Sequence, residues 1–356
     1  MKSKALVYGE NELGNIDGKV TNGLARYSER YEIVGIIDST KAGLDAGEFL
    51  DGVKNGIPVF ATLEDAILAL ADLPEYFIYG IAPSKSFLDK EEREIFFEAM
   101  KNGMNIINGL TEFFTNDEEF VQKAKKYSVT ITDVRKPPLR KDLHHFTGAI
   151  RKVKTPVIAV LGTDCAIGKR TTAVKLVEAL RKAGMKVAFI ATGQTGLLQG
   201  AKYGMAIDML SSGFATGEVE HAVVEADRIE QPDIIIVEGQ GSLGHPSFTS
   251  SWAIVKGSLP DGIIVQHAPK RKLYCTYADI PIPGLKAEID LIQQFAGPVV
   301  MAITINHEDM TDEEVEAAII EYEATYKVPT SDVLKQGCDK IVDHISKLFP
   351  IPLSVV

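Results

Sequence analysis

The run Gly162, Thr163, Asp164, Cys165, Ala166, Ile167, Gly168 and Lys169 constrains this chain more than any other feature. It follows an unbroken apolar stretch, Val157 to Leu161, and opens a pattern that puts Ala173, Leu176, Val177 and Leu180 on one helical face. A buried strand, a glycine-bearing bend and a helix in that order are the context in which a phosphate loop folds. Glycines let successive amide N–H groups turn inward, the helix N-terminus adds partial positive charge, and Lys169 supplies a compact cation. A tight turn beside an exposed lysine would explain Gly168 and Lys169, but not the strand, the spacing and the helix together. Arg170 stands where a magnesium-binding loop carries Ser or Thr, and Thr171 and Thr172 follow one and two positions late. Either a hydroxyl reaches a metal from there, or Arg170 replaces part of the metal's charge.

The rest of the second half repeats the strand and helix alternation. Strands are expected at Val157 to Leu161, Val187 to Ala191, Ile234 to Val237, Gly262 to Gln266 and Val299 to Ile305. Gly184 suits the end of the helix after the loop, and Thr311 with Glu314 suits a capping box at the start of another. In an open parallel sheet the C-terminal strand ends line the ligand crevice. Those ends deliver Glu238, Gly239, Gln240, Gly241 and Ser242 after one strand, Thr192, Gly193, Gln194, Thr195 and Gly196 after another, and His267 with Lys270, Arg271 and Lys272 after a third. Glu238 suits either a magnesium ligand or the acceptor of an amine proton. Arg271 suits a substrate carboxylate, and His245 or His267 suits acid or base work, although loop histidines more often serve only as hydrogen-bonded structure. Cys165 reads as a small filler, because no histidine adjoins it in sequence, and Asp208 as either a buried acid or an exposed turn residue.

The first half alternates short apolar runs with helical patterns, which signals strands joined through helices into a parallel sheet. Strands are expected at Ala5 to Tyr8, Ile33 to Ile37, Tyr76 to Ile81, Asn105 to Ile107 and Val129 to Ile131. Helices are expected at Lys19 to Tyr27, Leu63 to Leu70, Lys90 to Lys101 and Asp117 to Lys126. The first turn lacks the close glycine pair of a dinucleotide site, so Gly9 and Gly14 read as an ordinary turn and Asp38 as a strand end. A basic, proline-broken stretch from Arg135 to Lys154 reads as a solvated connection. The boundary is placed near Arg151, giving a Rossmann-like domain over residues 1–150 and a P-loop domain over 151–356. The fold class is thus α/β, with two mainly parallel sheets, each flanked by helices.

A net charge of -11 disfavours nucleic acid or an anionic membrane as partner, so an anionic ligand must be held locally. Three scattered cysteines form neither a zinc pair nor a disulfide framework, the opening residues lack a secretion-signal core, and no stretch approaches the roughly 20 apolar residues of a membrane span. A cytoplasmic protein acting on a small molecule is expected; a homo-oligomer is left open.

Gly162, Thr163, Asp164, Gly168 and Lys169 with Glu238, Gly239 and Gly241 resemble the dethiobiotin synthetase branch of P-loop proteins. That resemblance implies magnesium on Asp164 and Glu238, joined by Thr171 if a hydroxyl reaches it, and ATP phosphates on Lys169. A second resemblance covers nearly the whole chain. The loop Gly162 to Lys169 with Thr171 and Thr172, the run Ala191 to Gly196, and the run Glu238 to Leu243 with His245 and Pro246 look like the D-glutamate N-acetyltransferase-like family. It implies a Rossmann-like domain ahead of a P-loop domain, and acetyl transfer from acetyl-CoA to the amine of D-glutamate or a related amino acid. On that resemblance the loop from Gly162 through Arg170 to Thr172 would hold the cofactor. Glu238, His245 and Lys169 would be catalytic, and Gln194, Gly239, Gln240, Ser242, His267 and Arg271 would meet substrate. A magnesium-ATP-dependent ligase or carboxylase and a non-catalytic nucleotide-binding regulator are the alternatives.

Overall fold

The computed structural model describes residues 2–82, 87–297 and 300–350. Val299, expected to open a strand, lies outside the described residues. The chain divides into two compact units, one of Met1–Pro137 with Gln194–Ala201, the other of Pro138–Gly193 with Lys202–Val356.

The first unit is built on six parallel strands, β1 Ser3–Tyr8, β2 Tyr31–Ile37, β3 Val59–Phe60, β4 Tyr76–Tyr79, β5 Asn105–Asn108 and β6 Ile131–Asp133, in the order β3-β2-β1-β4-β5-β6. The order reverses at β1, as in a doubly wound Rossmann-like sheet. Phe77, Tyr79, Phe96, Phe114 and Phe120 fill one face, and Ala5, Val7, Val20, Leu24 and Ile36 fill the other. Asp38 is fully buried; its carboxylate accepts from the amides of Leu13 and Thr40 and from the Thr40 hydroxyl, so it closes the first turn from within. The two-residue β3 and the helix Ala46–Asp51 escape the sequence reading because both are too short to carry a period.

The segment Gln194–Ala201 belongs to this first unit although it follows a strand of the second. Its helix Gln194–Gln199 buries Leu198 in the same apolar cluster as Val20 and Leu24, and the Gln199 amide donates to the carbonyls of Gly23 and Tyr27. Of these residues only Gln194, Thr195 and Gly196 carry an expectation from sequence, at a strand end.

Seven parallel strands form the second unit: β7 Val157–Gly162, β8 Val187–Ala191, β9 Tyr203–Gly204, β10 Ile234–Glu238, β11 Gly262–His267, β12 Val300–Ile305 and β13 Thr330–Ser331, in the order β13-β12-β11-β7-β10-β8-β9. The central β7 lies between β10 and β11, with Val160 opposite Glu238 and Gly162 opposite Gln266. All residues of β7 and β10 are buried, which explains their continuous apolar runs. The helix Lys169–Lys182 packs Ala173, Leu176, Val177 and Leu180 against Ile158, Val160 and Ile236. It is followed by Gly184 at φ +91, and the expected Thr311–Glu314 capping box is formed.

The basic stretch between the sheets is largely exposed, yet its backbone is anchored within the second unit. Glu218 accepts from the His144 amide, and Glu220 accepts from the amides of Thr147 and Ile150 and from the Thr147 hydroxyl. Both acids are buried on the helix Ser212–Glu230. Among the described residues no helix is long and apolar enough to cross a membrane.

Candidate functional site

The bend between β7 and the helix Lys169–Lys182 has the backbone of a ligand nest. Ala166 sits at φ +49 and Gly168 at φ +99, a left-handed pair that reverses the peptide planes. Among the described residues, the amides of Ala166, Ile167, Gly168 and Lys169 donate to no protein acceptor. They are unpaired donors at a helix start, where backbone N–H groups and the helix dipole favour an anion.

Carbonyls of the same bend are drawn outward. Arg271 Nη1 donates to Asp164 Oδ2 at 3.1 Å and to the Cys165 carbonyl at 2.8 Å; Nη2 donates to the Ala166 carbonyl at 3.4 Å and to Glu308, whose other oxygen accepts from Nε. All N–H groups of the guanidinium are thereby engaged. Arg271 therefore braces the loop, instead of meeting the substrate carboxylate expected of it from sequence. Asn306 donates to the Ile167 carbonyl at 3.1 Å.

Lys169 is buried, and its Nζ donates to the Asp164 carbonyl. Burial pushes its pKa down, opposed by Cys165 and Asp164. An ammonium held this way, beside free amides, gains a counter-charge when an anion enters.

Thr172 points its hydroxyl at Gln266 Oε1, which also accepts from Thr304, so the Thr172 side chain faces the core and not the nest. Thr171 is half-buried. The Thr163 hydroxyl pairs with His267 Nδ1 at 2.9 Å. Burial, reinforced by Lys272, lowers His267 to about 4, so the ring is neutral while it supports Thr163.

Glu238 ends β10 fully enclosed. Its Oε2 accepts from the amides of Thr192 at 2.9 Å and Gly193 at 3.2 Å. Burial raises its pKa to about 6, against the pull of Arg170, those two amides and Lys169. Gly239 must be glycine, because a Cβ there would lie 1.9 Å from the Val160 carbonyl oxygen. Gln240 donates to Thr192 Oγ1, which donates in turn to the Glu238 carbonyl, so its side chain ties two strand ends together.

The loop after Gly239 lies over the bend. A Cβ on Gly241 would come within 3.5 Å of Cys165 Sγ and 3.8 Å of the His245 Cβ. Ser242 and His245 are both buried. Glu288 fixes this loop by accepting from the amides of Leu243 at 2.6 Å and Gly244 at 3.3 Å. The structure thus brings His245 to the neighbouring residues Asp164 and Cys165, although it is far from them in sequence. Gln194, grouped with them from sequence, belongs to the first unit and lies beside Gly109 there. Asp208 is exposed, in the short 3-10 helix Ile207–Met209.

A magnesium ion here would call on Asp164, Glu238 and Thr171. The donor set does not fit it: Asp164 Oδ2 is held by Arg271 and the Cys275 amide, Glu238 Oε2 by two amides, and Lys169, Arg170 and Arg271 already supply positive charge. Asp164, Cys165 and Cys275 offer ligand atoms within 4.8 Å of one another, but the Arg271 guanidinium paired to that carboxylate at 3.1 Å opposes a cation there too.

With this geometry in hand, comparison with known proteins places the chain. The P-loop domain model of DUF1611, a domain of unknown function, matches residues 144–342, and the companion Rossmann-like domain model matches residues 39–137. The chain belongs to the DUF1611 family. The crystal structure of a DUF1611 family protein from Anabaena variabilis matches this DUF1611 protein with a TM-score of 0.88 and 29% identity, covering 97% of this chain and 100% of that one. A D-glutamate N-acetyltransferase from a Pseudoalteromonas species is 33% identical over 275 residues, which is 76% of this chain and 80% of that protein. Another of that name, from Tritonibacter scottomollicae, is 28% identical over 291 residues, 80% of this chain and 84% of its own. This DUF1611 protein therefore pairs a Rossmann-like with a P-loop-like α/β domain, an architecture consistent with a nucleotide- or acyl-donor-binding enzyme.

Proposed function

We propose that this protein transfers an acetyl group from acetyl-CoA to the amine of D-glutamate or a closely related amino acid. The observation that carries the reading is the set of unpaired amides from Ala166 to Lys169 beside a buried lysine, in a chain whose relatives include D-glutamate N-acetyltransferases. Coenzyme A presents a 3′-phosphate and a pyrophosphate, and a nest of N–H groups captures either without hydrolysing it. The misfit of the donor set to magnesium favours such a ligand over a magnesium-bound triphosphate.

The transfer needs a neutral amine. Glu238, carrying a carboxyl with a pKa of about 6, is ionised at neutral pH and accepts the proton of the attacking ammonium. The amine nitrogen then forms a bond to the thioester carbonyl carbon as the carbon–sulfur bond breaks. Coenzyme A leaves as thiolate and becomes the thiol by taking the second proton that the nitrogen sheds on forming the amide, while the proton on Glu238 passes to solvent. Backbone N–H groups of the Gly239 to Ser242 loop are the candidate donors to the developing oxyanion.

The test is incubation of the purified chain with acetyl-CoA and D-glutamate, L-glutamate or other amino acids, with mass spectrometry of the products and a thiol assay for free coenzyme A. The expected result is N-acetyl-D-glutamate, or the N-acetyl form of a related amino acid, with equimolar coenzyme A in the presence of EDTA. Phosphate release from magnesium-ATP on addition of a carboxylate or amine, with no acetylated product, would replace the reading with a ligase.

A further inference from the structure

His245 is a buried titratable group that the transfer step does not use. We propose that His245 is a hydrogen-bond donor, with its proton held on Nε2, to an oxygen of the phosphate bound at Lys169, and that it is not a proton acceptor. The proposal rests on the reading of the Gly162–Lys169 bend as a phosphate site.

The tautomer follows from the backbone around the ring. Nδ1 accepts from the Ser247 amide at 3.1 Å and from the Phe248 amide at 3.3 Å. Two N–H groups aimed at one ring nitrogen require its lone pair, so the proton of the neutral imidazole sits on the other nitrogen. That other nitrogen, Nε2, is buried and makes no hydrogen bond among the described residues. The nearest carboxylate oxygen, Asp164 Oδ1, is 3.8 Å away and already accepts from the Cys165 amide at 2.7 Å. Buried donors are nearly always paired, and one left open beside a nest of open amides marks the place of a missing acceptor.

Everything else around the ring fixes its direction. Phe248 and Tyr274 hold it with ring centres 4.6 and 4.7 Å away, Tyr277 stands at 6.1 Å, and Glu288 pins the preceding amides. The charged groups facing it are Asp164 and Lys169; burial lowers its pKa, so the ring is neutral at neutral pH. For Nε2 to act as a base, the proton would have to move to Nδ1, against the two amides that point there. The same constraint disfavours metal ligation through Nε2, which needs the same lone pair.

Two variants separate the ring's two nitrogens. In His245→Asn the side-chain oxygen can keep the Nδ1 role but no donor reaches the Nε2 position; in His245→Gln the amide nitrogen reaches that position. Calorimetry with coenzyme A and with inorganic pyrophosphate is expected to show His245→Gln within a few-fold of wild type and His245→Asn weaker by about tenfold or more. Wild-type affinity in His245→Asn would overturn the donor role while leaving the loop reading intact. Binding of neither probe to wild type would overturn both. Independently of how the variants fold, nitrogen NMR of histidine-labelled wild-type protein is expected to show the His245 proton on Nε2 at pH 7; a proton on Nδ1 would overturn the proposal.

Discussion

Glu238→Gln is expected to lower kcat by about 10²- to 10⁴-fold, the usual worth of a general base, while coenzyme A affinity stays within a few-fold of wild type. Glutamine keeps an oxygen to accept from the amides of Thr192 and Gly193, so the strand end stays in place, but it cannot take a proton. In wild type, kcat/KM should rise with pH and level off above about 6, because burial holds the Glu238 pKa there and the base works only when ionised. The same burial has a stability consequence of opposite sense to that of a salt-bridged acid. With its pKa raised from 4.5 to about 6, the folded chain binds the proton more tightly than the unfolded one, so stability falls as pH rises between those values. At pH 7.5 the ionised group costs on the order of 2 kcal/mol, and Glu238→Gln should melt higher than wild type there, with the difference vanishing below pH 4.5. A variant that is inactive yet more stable is the signature of a carboxylate kept for chemistry. A fully active Glu238→Gln would remove it from the mechanism.

Lys169→Ala is the second large effect. Charge-assisted hydrogen bonds to a buried anion carry about 1.5–3 kcal/mol each, so the apparent KM for acetyl-CoA should rise by about 10- to 100-fold. Folding should suffer little, because the variant removes a buried ammonium that among the described residues donates to one backbone carbonyl, and the helix starts from Gly168 at φ +99 whichever residue follows. Steady-state kinetics across acetyl-CoA concentrations read this directly. A change confined to kcat would mean that the lysine acts on the reacting atoms and not on the phosphates.

The strands and the phosphate bend were legible because their signals are local. Four buried residues in a row, as in Ile234 to Val237, admit few alternatives, and the bend announces itself through Gly168, Lys169 and the apolar face that follows. The groups that brace the bend were not legible. Gln266, Asn306, Cys275 and Glu308, and Glu288 behind the loop after Gly239, come from positions far along the chain, and polar residues of these types look like ordinary surface until the sheet order is known. Arg271 is a related case: its chemistry suits a substrate carboxylate, but its N–H groups are taken up by the loop and by Glu308. The long helix Ser212–Glu230 is masked by Glu218 and Glu220, whose carboxylates face inward onto the backbone of residues 144–150 and blur the helical apolar stripe. The short edge strands Tyr203–Gly204 and Thr330–Ser331 are formed by pairing with longer neighbours and have no pattern of their own.

What the bend between β7 and its helix holds decides the function of the P-loop domain. Isothermal titration of coenzyme A into the full chain, first in EDTA and then in magnesium, addresses this most directly. The expected result is saturable binding in EDTA that magnesium does not strengthen. No binding of coenzyme A in either buffer, together with tight binding of ATP only when magnesium is present, would contradict it.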